Sequence, residues 1–169
     1  MPIVAADIQM RLSGGAANSN VNAALGGAKS SVSVTDASLH NLFDVVSSAE
    51  SAAGDTEYRC IYIHNNHGTL SLQNAVIWIS TQTPAAGSTI DIALGGEGLN
   101  GTAETVANEN TAPSGESFSA PSTEGGGLSL GTIPAGQHYP VWIRRTISAS
   151  AAAYSTDSVI LTVKGDTAG

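Results

Sequence analysis

The stretch Glu57–Ser80 constrains the fold of this chain more than any other part. It holds two apolar runs rich in Ile, Val, Tyr and Trp, separated by Asn65, Asn66, His67 and Gly68. Runs of β-branched and aromatic residues broken by Asn and Gly predict antiparallel strands joined by tight turns. Both sets of alternating side chains are largely apolar, which predicts central strands covered on both faces.

The faces follow from the alternation of side chains along a strand. The first run places Tyr58, Cys60 and Tyr62 on one face and Arg59, Ile61 and Ile63 on the other; the second places Val76, Trp78 and Ser80 against Ala75, Ile77 and Ile79. Trp78 and Trp142 both have Ile and Val neighbours. The sequence therefore predicts that both are core residues rather than an exposed carbohydrate-binding platform.

Further strands are predicted by the same alternation before and after this stretch. They are Asp7–Leu12 (a half-buried strand at a sheet edge), a short strand at Val32 and Val34, Thr89–Leu94, Tyr139–Ile147 and Ser158–Val163, and the core resumes at Leu128–Leu130 and Ile133. About seven or eight short strands separated by turn residues predict an all-β fold, an antiparallel β-sandwich of jelly-roll or Ig-like form.

Two short segments carry helical signals. Between Leu39 and Val46 apolar residues recur at helical spacing behind Thr35-Asp36, which predicts a short helix or helical turn. Ser47 and Glu50 have the spacing of a capping box, and Gly54 would end the helix that follows.

We expect one domain over residues 1–169, with two long segments that have few large apolar side chains. Residues 13–31 are rich in Gly, Ala, Ser and Asn, and form either a loop over the sandwich or an extended N-terminal arm that orders on a neighbour. Residues 95–127 form a long acidic loop, and a loop of this length is usually a binding loop, a lid or an arm.

The charge of the chain argues against nucleic acid as a partner. There are 6 basic and 14 acidic residues, a formal net charge of −8, and no basic cluster larger than Arg144-Arg145. No Lys or Arg lies between Arg59 and Arg144, a gap that contains Asp91, Glu97, Glu104, Glu109, Glu116 and Glu124. Such acids either form a solvated surface or steer a cationic partner.

Cys60 is the only cysteine, so no internal disulfide is predicted, and its apolar strand makes it a core residue. The sequence predicts no signal peptide, no transmembrane helix and no membrane partner. We therefore expect the protein to stay in a reducing compartment unless it leaves inside a larger particle.

Two motifs suggest ligands but lack the context that a ligand site needs. Gly96, Gly98 and Gly101 spell GxGxxG after a strand, but the following residues have no apolar helical stripe, so a dinucleotide site is not expected. His64 and His67 have no cysteine or paired acid beside them, and a hairpin turn is a better interpretation than a metal site.

Catalytic motifs are also missing. Asp55 with Glu57, or Glu104 with Glu109, could pair as glycosidase carboxylates, but nothing raises either pair above chance. Ser, His and Asp occur without a nucleophile elbow. The sequence therefore predicts no enzyme, no cofactor, and no catalytic, cofactor-binding or metal-binding residues.

Three blocks together carry a family resemblance: NLFDVVSSAESAAGDTEYRCIYIHN (residues 41–65), LSLQNAVIWI (70–79) with TIDIAL soon after, and LSLGTIPAGQHYPVWIRRTI (128–147). This pattern, over roughly residues 39–165, resembles small virion structural proteins of tailed bacteriophages, of the capsid decoration or cement type. The resemblance implies a β-sandwich that coats the capsid, without cofactor or enzymatic step.

The resemblance also implies partners and a location. The partners would be the major capsid protein and the chain itself, as a dimer or trimer, on the capsid surface of the virion after synthesis in the bacterial cytoplasm. Two alternatives stay open. One is a minor tail or connector protein, and the other is a carbohydrate-binding or adhesive module.

Overall fold

The computed structural model describes residues 1–167 and shows an all-β fold with almost no helix. Within that range the strands are β1 Ile8–Leu12, β2 Asp55–Asn65, β3 Leu72–Thr81, β4 Ser88–Leu94, β5 Leu128–Ile133, β6 His138–Ile147 and β7 Ile160–Thr167. The helix α1 spans Ser48–Ala53, and 3-10 turns occupy Ala5–Asp7, Val21–Ala23 and Glu124–Gly126. No helix in the described range is long and apolar enough to cross a membrane.

The strands form two open antiparallel sheets. The four-stranded sheet has the order β1-β2-β6-β4, and the three-stranded sheet has the order β5-β3-β7. β2 and β6 pair over ten residues, with Glu57 opposite Arg145 and Cys60 opposite Trp142. The predicted edge position of β1 and the predicted central position of β2 are therefore confirmed.

Side chains from both sheets build one main hydrophobic cluster. The inward residues of β2, Ile61 and Ile63, join Val141 and Ile143 of β6, while the three-stranded sheet supplies side chains such as Ile77. All of these are almost fully buried. Their spacing of two follows the alternation in the sequence, because only every second side chain of a strand reaches the same face.

A second cluster lies on the other face of the four-stranded sheet. It contains Tyr58, Cys60, Tyr62, Ala93, Ala103, Val106 and Trp142, with Leu25 and Phe118 packed against it. Leu25, Ala103, Val106 and Phe118 come from the two long segments rather than from strands. The apolar character of both faces of β2 is thus explained: one face contributes to the main hydrophobic cluster, and loop segments cover the other.

The predicted pairing of the two runs in Glu57–Ser80 is wrong. β2 and β3 lie in different sheets, so the turn between them is a crossover and not a hairpin. The Asn65 side-chain amide donates to Leu70 O and to Ile133 O of β5, at 2.9 Å each, which fixes this crossover between the sheets.

The two helical predictions have opposite outcomes. The capping box is confirmed: Ser47 Oγ accepts from Glu50 N, Glu50 accepts from Ser47 N, and Gly54 follows the helix with φ of 80°. The predicted helix at Leu39–Val46 is wrong, since this segment is a series of turns with His40 at φ of 54°. The carbonyls of Leu42 and Asp44, which a helix would use internally, instead accept hydrogen bonds from two arginine side chains.

The two tryptophans also differ. Trp142 is fully buried in the second cluster, whereas Trp78 is half-buried on the outer face of the three-stranded sheet. The predicted core position of Trp78 is therefore wrong. Trp78 belongs to neither hydrophobic cluster of the described residues, whereas the long segments pack over Trp142.

Candidate functional site

Three buried charged residues, Glu57, Arg59 and Arg145, lie beside the partly exposed Asp44 and Glu109. We call the group Arg59, Arg145, Asp44, Glu57 and Glu109 the arginine cluster. The Arg59 side chain is 0% exposed and lies 2.5 Å from the Glu109 carboxylate, while Arg145 pairs with Glu57, its cross-strand neighbour. β2 and β6 thus point both guanidinium groups inward, towards residues 42–44.

Phe43 lies between the two arginines of this cluster. The guanidinium carbons of Arg59 and Arg145 lie 5.4 Å and 4.8 Å from the centre of its ring. Arg59 also donates to Leu42 O and Arg145 to Asp44 O, at 3.2 Å and 2.9 Å. The two arginines therefore hold a turn segment without regular structure against the sheets, by charge, hydrogen bonding and cation–π contact.

The carboxylates of the cluster have the spacing of a cation site but are already engaged. One oxygen from each of Asp44, Glu57 and Glu109 lies within 4.8 Å of the others. Burial raises the pKa of Glu57, and the hydrogen bond and positive charge of Arg145 oppose that rise. Two guanidinium groups beside three carboxylates leave a net charge of about −1, so the arrangement stabilises itself and gives a further cation little attraction.

The two long segments form a continuous cover on the four-stranded sheet, here called the loop layer (residues 13–31 and 95–120). They bond to each other through Gly27 N to Ala103 O at 2.9 Å and Val106 N to Leu25 O at 3.0 Å. Gly26 has φ of 91°, and a Cβ there would lie 1.7 Å from Glu104 O, so only glycine permits this contact.

Tyr62 joins the loop layer to the sheet. Its hydroxyl donates to Gly27 O at 2.6 Å and accepts from Ala103 N at 2.8 Å, one residue from each segment. Burial raises the pKa of Tyr62 to about 12, so the hydroxyl stays protonated and keeps both hydrogen bonds at neutral pH. Residues 13–31 thus lie over the four-stranded sheet in this structure.

Three glutamates of the loop layer form an acidic surface, here called the glutamate patch (Glu97, Glu104 and Glu116). Glu97 accepts from Glu104 N at 2.7 Å, and Glu116 from Gly96 N at 2.9 Å. Burial raises the pKa of Glu116, and the negative charges of Glu97 and Glu104 raise it further.

The other acids of the Arg59–Arg144 gap have basic partners. Asp91 pairs with Arg144, Glu109 with Arg59, and Glu124 with Lys164. Within residues 1–167 no Lys or Arg pairs with the glutamate patch. Among the acids of this gap, the patch is therefore the group whose negative charge no Lys or Arg of the described residues neutralises, and such a charge attracts a positively charged partner.

The two histidines of the crossover have different roles. His67 Nδ1 accepts from Thr69 N at 3.1 Å and Leu70 N at 2.9 Å, so its ring shapes the turn. His64 is buried beside Gln137 O, at 3.2 Å. Burial lowers the pKa of His64 to about 4, and the positive charges of Lys29 and Arg11 lower it further.

We expect His64 to make the protein less stable in mild acid. Its folded-state pKa of about 4 lies below the ordinary 6.5, so it contributes stability above pH 6.5 that is lost as pH falls towards 4. The loss is up to about 3 kcal/mol. Urea unfolding across this range should show a shallower pH dependence for His64→Gln than for the wild-type chain.

The control for that measurement is His40→Asn, which removes an exposed histidine and retains a residue that tolerates positive φ. Its pH dependence should match the wild type. If the free energy of unfolding fell equally with pH in His64→Gln and in the wild type, His64 would not be the source of the acid sensitivity.

The carboxylate pairs considered as catalytic are not brought together as free groups. Asp55 accepts from Asn110, whereas Glu57 pairs with Arg145. Glu104 accepts from Ser114 N, and Glu109 pairs with Arg59.

The glycine motif at residues 96–101 is a loop with local turns. Gly98 N bonds to Gly95 O at 3.0 Å, and Gly101 N to Gly98 O at 3.1 Å. The residues that follow do not form a helix, so no helix N-terminus faces the motif.

The arginine cluster itself was missed by sequence reasoning. A signal was present, because Glu57 and Arg59 share a strand face with Ile61 and Ile63, and charges in an apolar series are buried only when paired. Their partners could not be identified, since Glu109 lies 50 residues from Arg59 along the chain.

Comparison with known proteins adds no relative: the chain matches no protein-family model, no curated protein and no solved structure.

Proposed function

We propose that this chain is a non-enzymatic virion protein of a tailed bacteriophage that decorates the outer shell of the head and stabilises it. The observation that carries the proposal is the loop layer, which is held on its own sheet and presents an acidic patch without basic partners. A patch of one sign suits contact with a positively charged surface. The resemblance of residues 41–65, 70–79 and 128–147 to decoration proteins favours a capsid as that surface.

The proposed mechanism is mass action on the assembled state. A protein that binds the closed shell, but not its separate subunits, lowers the free energy of the shell by the free energy of binding. The partners are the major capsid protein and further copies of this chain. It would act at the virion surface after synthesis in the host cytoplasm, and it needs no cofactor.

We also propose that the two sheets form a β-sandwich. Residues of both sheets share the main hydrophobic cluster, which supports face-to-face packing. From β2 onward each successive strand lies in the opposite sheet, and this alternation favours the jelly-roll form over the Ig-like one.

The first test is the number of copies in purified virions, measured by quantitative mass spectrometry. We expect copies in proportion to the major capsid protein. A handful of copies per particle would replace the proposal with a tail or connector role. Absence from particles would overturn the virion proposal altogether.

The same particles test the contact surface. Particles stripped of the protein are mixed with purified wild type or with the triple variant Glu97→Gln, Glu104→Gln, Glu116→Gln, and bound protein is measured after sedimentation. We expect the variant to bind about tenfold more weakly, and wild-type binding to weaken as salt is added.

The single variant Glu104→Gln is compared with Glu124→Gln, which removes the same charge outside the patch. Glu124→Gln should bind as the wild type does, whereas Glu104→Gln should bind more weakly. Equal binding by the triple variant would exclude the glutamate patch as the contact.

A further inference from the structure

The four-stranded sheet has both of its edges covered by the chain itself. Along β1, Ser30 N bonds to Leu12 O at 2.8 Å and Val34 N to Met10 O at 2.8 Å. Along β4, Ser119 and Ile92 exchange two backbone hydrogen bonds, of 2.8 Å and 3.0 Å. Covered edges cannot pair with another chain.

The edge formed by β7 is different. Among residues 1–167, the backbone of β7 pairs with β3 and bonds to no other segment. Its eight residues give a longer template than the six of β5. β5 is also irregular, because Gly131 has φ of 69° where the register with β3 shifts.

Core residues are incompletely buried at this edge. Leu161 and Val163 pack against the main hydrophobic cluster but remain half-exposed, as does Val159 just before the strand. Ile160 is 54% exposed. A long unpaired strand that carries half-exposed core side chains is a template for strand addition.

We propose that β7 pairs antiparallel with β7 of a second copy of this chain, about a two-fold axis. The inference rests on the self-association included in the proposed function, and it names the surface. Pairing would join two three-stranded sheets into one continuous sheet. With Gly165 at the centre, residues 163–167 of the two copies face each other, and the half-exposed Val163 lies opposite Thr167 of the other copy.

Charge complementarity favours a second copy of this chain as the partner of β7. Lys164 and Asp166 lie two residues apart, so they share a face of β7. With Gly165 on the two-fold axis, each Lys164 lies opposite Asp166 of the other copy, and the pair occurs twice. Their present partners, Glu124 and Asn74, are bound at exposed positions and compete weakly.

A charge exchange tests this register. Sedimentation velocity from micromolar to millimolar protein, in about 0.15 M salt to screen the net charge, should give a concentration-dependent dimer for the wild type. Lys164→Asp places like charges opposite each other twice and should raise the dimer Kd by about tenfold, as should Asp166→Lys. The double variant Lys164→Asp, Asp166→Lys should restore the wild-type Kd.

Lys29→Asp is the matched control, since it makes the same charge change in the loop layer. It should leave the dimer unchanged, and circular dichroism should show that every variant is folded. A wild-type chain that stays monomeric, a trimer, or a double variant that does not recover would overturn the inference.

This failure is distinguishable from failure of the proposed function. A monomer that still binds particles overturns the dimer alone. If the double variant recovers the wild-type dimer Kd but the protein is absent from virions, the β7 interface is supported and the virion role is overturned.

Discussion

Replacing Arg59 by methionine is expected to lower the free energy of unfolding by about 3–5 kcal/mol. Methionine retains most of the apolar volume but removes the guanidinium group, whose side chain is 0% exposed. Leu42 O then loses its donor, and Glu109 loses its counter-ion. Urea unfolding followed by circular dichroism measures the change.

Arg144→Met is the matched control for this experiment. Arg144 also lies on β6, two residues after Trp142. It pairs with Asp91, and a third of its side chain is exposed. Its removal should lower the stability by less than about 1 kcal/mol. Equal losses for the two variants would contradict the structural role of the arginine cluster.

The second large effect is expected at Trp142. Trp142→Ala should lower the free energy of unfolding by about 3–5 kcal/mol, because it leaves a cavity between the four-stranded sheet and the loop layer. Trp142→Phe should lower it much less, since the indole Nε1 is buried without a hydrogen-bond partner in the described part of the chain. Thermal and urea unfolding would measure both changes.

Trp78→Ala is the control, because the same residue type lies half-buried on the other sheet. It should cause a clearly smaller loss than Trp142→Ala. If both tryptophans gave the same loss, the loop layer would not bury Trp142 as described.

Local patterns predicted the strands well because alternation is a property of a few neighbouring residues. The series Tyr58 to Ile63 predicted a strand with two apolar faces, and the capping residues Ser47 and Glu50 predicted the start of α1. The pairing of β2 with β3 was mispredicted because neighbours in sequence usually pair. Here the crossover bonds of Asn65 separate them.

Burial depends on distant parts of the chain and could not be predicted in this way. Trp78 and Trp142 have similar neighbours, yet only Trp142 lies beneath the loop layer. The segment at Leu39–Val46 has helical spacing, but Arg59 and Arg145 bind its carbonyls from strands far along the chain. A local pattern cannot show that distant arginines will take the carbonyls that a helix would need.

Tyr62 has a consequence for the order in which the chain folds. Its hydroxyl bonds to residues 35 positions before it and 41 positions after it. Closing such loops costs entropy. The hydrogen bonds to Tyr62 can offset that cost only once the strand that carries Tyr62 is in place. We therefore expect the cover over Cys60 and Trp142 to form late, so that the sheet exposes an aromatic surface until the loop layer is in place. The yield of folded protein would then depend on whether the loop layer closes over the sheet faster than exposed sheets aggregate.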